Sequence, residues 1–121
     1  MRDPSQDVHK KVLGRRGERR AAKFLRRQGC KVLARNYRTP FGEADIVARD
    51  GETVVFCEVK ARLTESFGTP AEAVGADKRR RYGLIARFFQ QRAGRECNVR
   101  FDVLEVYKDR VVHLKDAFRL P

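Results

Sequence analysis

Long apolar runs are what this sequence most lacks. No stretch approaches the roughly 20 residues needed to span a bilayer. The opening Met1-Arg2-Asp3-Pro4 leads into no apolar core of a signal peptide. Cysteine is scarce: Cys30, Cys57 and Cys97 are odd in number, widely spaced and free of any Cys-x-x-Cys pair. That pattern argues against a disulfide framework or a thiolate zinc site and fits a reducing compartment. His9 and His113 lie far apart near the chain ends, so neither is assigned to a metal. Internal repeats and low-complexity tracts are missing too. A cytoplasmic protein with no membrane partner is expected.

Acid is short relative to base. Sixteen Asp and Glu stand against 28 Lys and Arg, for a net charge of +12 and a pI near 10.4. Such an excess implies a polyanionic partner, most simply nucleic acid. The 121 residues are 41% hydrophobic with eight Phe, enough for one core and too few for two. A single domain over residues 1–121 is expected, with polar residues 1–7 as a loose N-terminal arm.

The apolar spacing predicts a helix from about Val8 to Gln28, closed by Gly29 at the residue just past its end. Gly14 and Gly17 each weaken such a helix by about 1 kcal/mol relative to Ala, which predicts a close backbone approach. Glu18 shares the face of Gly14, Ala21, Ala22 and Leu25, which turns it inward. Strands are predicted over Lys31–Arg38, Glu43–Arg49 and Glu52–Ala61, with Asp50-Gly51 as the second hairpin turn. Thr69-Pro70-Ala71-Glu72 matches a helix capping box. The helix that follows carries Val74, Tyr82, Ile85 and Phe89 on one face. Gly75 is expected to break it, Asp77 to cap a second start and Gly94 to end it. Val99–Tyr107 reads as a strand that, after this crossover, can join in parallel; Val111–Leu114 is a short last strand. The order α-β-β-β-α-β-β gives an α/β fold with a mixed central sheet flanked by helices.

Within that frame two strands carry acid where an apolar layer is expected. Side chains in a strand alternate faces, so Glu58 and Lys60 point the same way as Val54 and Phe56. Ionised groups over an apolar layer are costly unless paired or bound to a cation. Asp45 and Glu58 can supply two carboxylates, and the Val59 carbonyl a third oxygen, to a hard cation such as Mg²⁺ that keeps several waters. Hydrolysis of a phosphodiester needs such a cation to neutralise charge and to generate hydroxide near pH 7. Lys60 beside it can orient the attacking water or stabilise phosphate charge. The bland alternative is a plain Glu58–Lys60 ion pair on an exposed strand, worth little.

Asp45…Glu58-Val59-Lys60 resembles the PD-(D/E)xK signature of restriction-endonuclease-like nucleases. The first helix with its inward Glu18 resembles that of archaeal Holliday-junction resolvases. A wider set resembles the YraN family of endonuclease-like bacterial proteins: Gly14-x-x-Gly17-Glu18-x-x-Ala21, Asn36-Tyr37-Arg38, Gly42-Glu43-x-Asp45-Ile46-Val47, Phe56-x-Glu58-Val59-Lys60-x-Arg62, Phe67-Gly68-x-Pro70-x-x-Ala73-Val74 and Lys78. Ala44 stands where the superfamily signature has proline. The resemblance implies a restriction-endonuclease-like core and an endonuclease dependent on Mg²⁺ or Mn²⁺. Asp45, Glu58, Lys60 and Glu18 would then be catalytic, with Asp45, Glu58 and Val59 as metal ligands. It also implies DNA rather than RNA as substrate, branched DNA among the candidates, and a homodimer. The alternative is a nucleic-acid-binding accessory factor that keeps the fold and does not cut.

Around the site, Arg62 is expected to meet a phosphate and Lys78 to reach the site from the second helix. Arg79, Arg80, Arg81 and the arginines of the first helix, Arg16 among them, are expected to hold the phosphate backbone without reading sequence. Glu43 has the strand parity of Asp45 and Val47, so it can approach the metal. Cys57 reads as a core residue, and Asp102 as half of a structural ion pair with an arginine.

Overall fold

The computed structural model describes residues 4–62 and 75–119, with side chains from residue 15 onward. Its elements are α1 (Pro4–Arg27), β1 (Lys31–Thr39), β2 (Gly42–Asp50), β3 (Thr53–Ala61), α2 (Ala76–Ala93), β4 (Asn98–Val106) and β5 (Val111–Leu114). The strands form one sheet in the order β1-β2-β3-β4-β5. β3 and β4 run parallel, and every other neighbour pair is antiparallel. The α-β-β-β-α-β-β order and the mixed sheet between helices are therefore as expected, an arrangement consistent with a nuclease-like fold.

The two helices cover opposite faces of the sheet. Ala21, Ala22 and Leu25 of α1 pack with Ile46, Ala48, Val55, Cys57, Leu104 and Val106. Tyr82, Ile85 and Ala86 of α2 pack with Ala44, Val47, Val54, Phe56, Phe101 and Val103. β3 is buried on both faces from Val54 to Glu58, which is why its apolar run is nearly continuous instead of alternating.

Helix ends follow their residues. Gly29 adopts φ 91° past α1, and the Cys30 N–H bonds the Leu25 carbonyl at 3.0 Å, a Schellman closure that returns the chain into β1. α1 already includes Pro4, the first described residue, so residues 4–7 are helical and not the loose arm expected. Gly75 is itself the N-cap of α2, in an extended conformation, in place of the expected Asp77; the helical segment expected before it lies outside the described residues. Asp77 lies inside the first turn and pairs with Arg80. The Thr69–Glu72 capping box and Val74 lie outside the described residues. Asp50 pairs with Thr53, so the second hairpin loop is Gly51-Glu52, one residue later than expected. Asp50 stays in the strand because Arg100 holds its carboxylate at 3.0 Å.

The expected close approach is found at Gly17. A Cβ there would stand 3.2 Å from the Ala61 Cβ, tighter than ordinary packing. Gly17→Val should therefore cost about 1–3 kcal/mol by overpacking. Urea unfolding checks this, and an unchanged midpoint would mean that α1 can lift off β3 freely.

Candidate active site

The site forms where β2 and β3 part. Their ladder runs from Asp50–Thr53 to Ile46–Cys57 and stops there. Asp45 and Glu58 would be the next cross-strand pair, and like charges in that position repel. The Asp45 carboxylate takes over the bond that the ladder drops: its Oδ2 accepts the Val59 N–H at 2.8 Å. That N–H ties Val59 to the site.

Strict alternation also fails here. Ala44 and Val47 share the α2 face, while Ile46 and Ala48 lie on the α1 face. Opposite Asp45, between the Arg35–Ile46 and Tyr37–Ala44 pairs, Asn36 adopts a left-handed φ of 53°. Ala34 and Tyr37 both pack on the α2 side, so the facing slips by one residue on both strands at this point. Asn accepts this conformation more readily than most residues. The parity that grouped Glu43 with Asp45 and Val47 is therefore overturned. Glu43 instead meets the exposed Arg38 at 3.5 Å, and its charge acts on Glu18.

Glu58 is only 8% exposed and fully engaged. Its Oε1 accepts from Lys78 at 2.7 Å and lies 3.4 Å from Lys60; its Oε2 accepts the Tyr82 hydroxyl at 2.6 Å. Burial pushes this carboxyl up, but the Lys78 and Tyr82 donors and the lysine charges outweigh it and hold the group below its ordinary value. Asp45 goes the other way. Burial and then the Glu58 charge drive its carboxyl up to about 7, against the pull of the Val59 N–H. Glu18, across from α1, adds to that rise; its own carboxyl is raised chiefly by burial and bonded by the Asn36 side chain. Asp45, Glu58 and Lys60 are thus brought together, and Glu18 stands within electrostatic reach of Asp45.

The basic residues divide. Lys78 reaches the site, but as the partner of Glu58 and not as an open phosphate contact. Arg62, expected at a phosphate, binds Glu105 at 3.0 Å because the parallel register sets Glu105 beside Lys60, two residues from Arg62. Arg80 pairs with Asp77 on an exposed turn. Arg16 is exposed on α1, and Arg79 keeps a buried Nε that meets no hydrogen-bond partner among the described residues. Away from the site, Asp102 is the structural acid expected. It accepts two 2.9 Å bonds from Arg100 and lies 2.7 Å from His113 Nε2. Cys57 is fully buried in the α1-side core, where burial pushes its thiol well up.

Tyr82 is the site residue that sequence reasoning missed, counted there as one apolar position of a helix face. The available signal was its hydroxyl, since a buried phenol needs a partner. Burial and the Glu58 charge push the phenol far up, so it stays protonated and donates. Tyr82→Phe should leave Glu58 Oε2 buried without its donor and cost about 1–3 kcal/mol. Chemical denaturation checks this, and a loss below about 0.5 kcal/mol would mean that solvent replaces the phenol.

Among the described residues, no group of three or more His, Cys, Asp and Glu is disposed to encage a metal ion. Two opposed carboxylates are what the site offers, and no hydrogen bond among those residues reaches Asp45 Oδ1. A part-buried, repelled carboxylate with an oxygen to spare fits a hard cation that keeps most of its waters. The described helices include none long and apolar enough to cross a membrane.

Comparison with known proteins agrees with the family-level expectation. The model of "Uncharacterised protein family UPF0102" matches residues 17–106, which contain every residue of the site. A UPF0102 protein of Caldicellulosiruptor saccharolyticus is 45% identical over 118 residues, covering 92% of this chain and 100% of the relative. One from Geobacter sulfurreducens is 42% identical over 118 residues (93% and 92%), and one from Moorella thermoacetica 47% over 100 residues (80% and 82%). With a family match across most of its length and relatives covered nearly end to end, the chain belongs to the uncharacterised family UPF0102, the YraN family.

Proposed function

We propose that the protein is an endonuclease that hydrolyses phosphodiester bonds in DNA with Mg²⁺ or Mn²⁺ held by Asp45 and Glu58. The observation that carries this reading is the opposed carboxylate pair itself, in which Asp45 is driven up to about 7 by burial and by its neighbour. A fold gains nothing from that repulsion, so a cation is its simplest purpose. Bound there, the cation would supply Lewis acidity, neutralising phosphate charge and lowering the pKa of a water.

The chain's own residues do the rest. Tyr82 and Lys78 fix the Glu58 carboxylate, and the Val59 N–H fixes that of Asp45. Lys60, on the same face, stabilises charge gathering on the phosphate. Glu18, hydrogen-bonded to the Asn36 side chain and raised by burial, would accept a proton from water. The net charge of +12 draws the polyanion in, and a cytoplasmic setting supplies both DNA and Mg²⁺.

A second reading has one observation in its favour. Both Glu58 oxygens already carry donors, which suits an accessory factor that binds nucleic acid without cutting it. A panel of linear, flapped, four-way and single-stranded DNA, with duplex RNA, separates the two. Cleavage of a DNA member with Mg²⁺ or Mn²⁺, falling about 10²–10³-fold in Lys60→Ala, is expected. An intact panel that is nonetheless bound would establish the accessory reading.

A further inference from the structure

Beside the site stands an aromatic ridge that the core does not use. Phe41, at the tip between β1 and β2, is 44% exposed. It is not a loose side chain. Its N–H bonds Thr39 Oγ1 at 3.1 Å, and that hydroxyl donates to the Gly42 carbonyl at 2.8 Å, which locks the tip. Its ring meets Phe88 of α2 edge to face at 6.5 Å, and Tyr37 supports Phe88 at the same spacing. The guanidinium of Arg92 lies over the Phe88 ring, 5.6 Å from its centroid.

Arginines flank the ridge on the side of the carboxylates. Gly42, at φ 133°, would bring a Cβ within 2.9 Å of Arg81 Cδ, so only glycine lets the Arg81 side chain lie along the tip. Arg38, paired across the hairpin with Glu43, has its side chain 85% exposed. Position links the ridge to the site. Phe41 precedes Asp45 by four strand residues, about 13 Å. On α2, Arg81 lies about 4.5 Å of helix rise beyond Lys78, and Phe88 about 15 Å beyond Lys78. A path from the carboxylates to Phe41 thus passes Arg81.

We propose that Phe41, backed by Phe88, is a stacking platform for an unpaired base of the nucleic acid whose backbone enters the Asp45–Glu58 site. This rests on the nuclease reading for its ligand. An open π-face accepts any base, and guanidinium groups beside it hold the neighbouring phosphates. Bases of an intact duplex are stacked inside and cannot reach a hairpin tip. The platform therefore selects single-stranded, forked or junction DNA over fully paired DNA, a preference that phosphate contacts alone cannot supply. The same positive surround disfavours a basic protein partner.

The test is binding without divalent metal, using a fluorescein-labelled forked duplex with a 2-aminopurine in its single-stranded arm, and a fully paired duplex of the same length. Phe41→Ala and Phe41→Leu should each weaken forked-DNA binding about tenfold, toward the lower end of the range for one stacked base. Paired-duplex binding should change less than twofold. Phe41→Tyr should restore binding and the quenching of 2-aminopurine, and unchanged melting should confirm that all variants fold. Equal losses on both substrates, no loss on either, or a wild type that binds no forked DNA would overturn the proposal. So would a wild-type dimer that Phe41→Ala converts to monomer, since the ridge would then be a contact with a second copy. Cleavage by the wild type, scored separately with Mg²⁺, judges the nuclease reading independently of these outcomes.

Discussion

At pH 8 the Asp45→Asn protein should melt several degrees above the wild type and cut no DNA. The carboxyl of Asp45 is raised from an ordinary 3.8 to about 7, first by burial and then by Glu58. A raised folded-state value means stability that is fully present below the ordinary value and lost as pH climbs through the raised one. Below pH 4 both folded and unfolded chains carry the proton. Between pH 4 and 7 the unfolded chain ionises first, and above 7 the folded chain bears the whole penalty, about 4 kcal/mol as a ceiling. Residual contact with water lowers this to about 2 kcal/mol. Asparagine keeps the acceptor for the Val59 N–H and sheds the charge. The difference in Tm should therefore shrink toward zero by pH 4, as melting curves at pH 4, 6 and 8 will show. Cleavage should fall at least about 10³-fold, the scale for losing one preorganised charge-stabilising group. A variant less stable than wild type at pH 8 would mean that Asp45 is a structural acid.

Glu58→Gln should be equally inactive and should move stability in the opposite direction. Glu58 is the acceptor for Lys78, Lys60 and Tyr82; glutamine keeps one acceptor oxygen but removes the countercharge of a part-buried ammonium and turns an amide N–H toward one of these donors. Breaking such a pair from one side costs about 3–5 kcal/mol when it is dry. The Lys78 side chain is 28% exposed, so about 2–3 kcal/mol is expected. Burial raises this carboxyl but its donors lower it further, to a net value below the ordinary 4.5. Its stabilisation is present above 4.5 and lost as pH falls through the depressed value, so wild type and variant should converge only in acid. Urea titrations at pH 7 and pH 3 measure this. A difference that persists unchanged at pH 3 would contradict it.

The opposite signs follow from one strand ladder, and they show what was legible beforehand. Apolar spacing and turn residues placed all five strands and the ends of both helices at Gly29 and Gly94 to within a residue or two. Val54, Phe56 and Glu58 share a face because β3 is regular, so the Glu58–Lys60 reading stood. β2 is not regular. Nothing local announces that Asn36 turns left-handed opposite Asp45, because that conformation answers to tertiary pairing. Strict alternation therefore misplaced Glu43. Long basic side chains were the least legible. Arg62 and Lys78 find Glu105 and Glu58 through the sheet register and the packing of α2, contacts separated by 43 and 20 residues. Tyr82 looked like any other apolar helix position until its hydroxyl found Glu58.

The central claim is that Asp45 and Glu58 together hold a divalent cation, and Mn²⁺ titration followed by calorimetry tests it without any substrate. At pH 7 the wild type should bind one Mn²⁺ and release part of a proton, because Asp45 is close to half protonated there. Lys60→Ala should keep that site, while Asp45→Asn and Glu58→Gln should each abolish it. A wild type that binds Mn²⁺ no better than the two carboxylate variants would contradict the account.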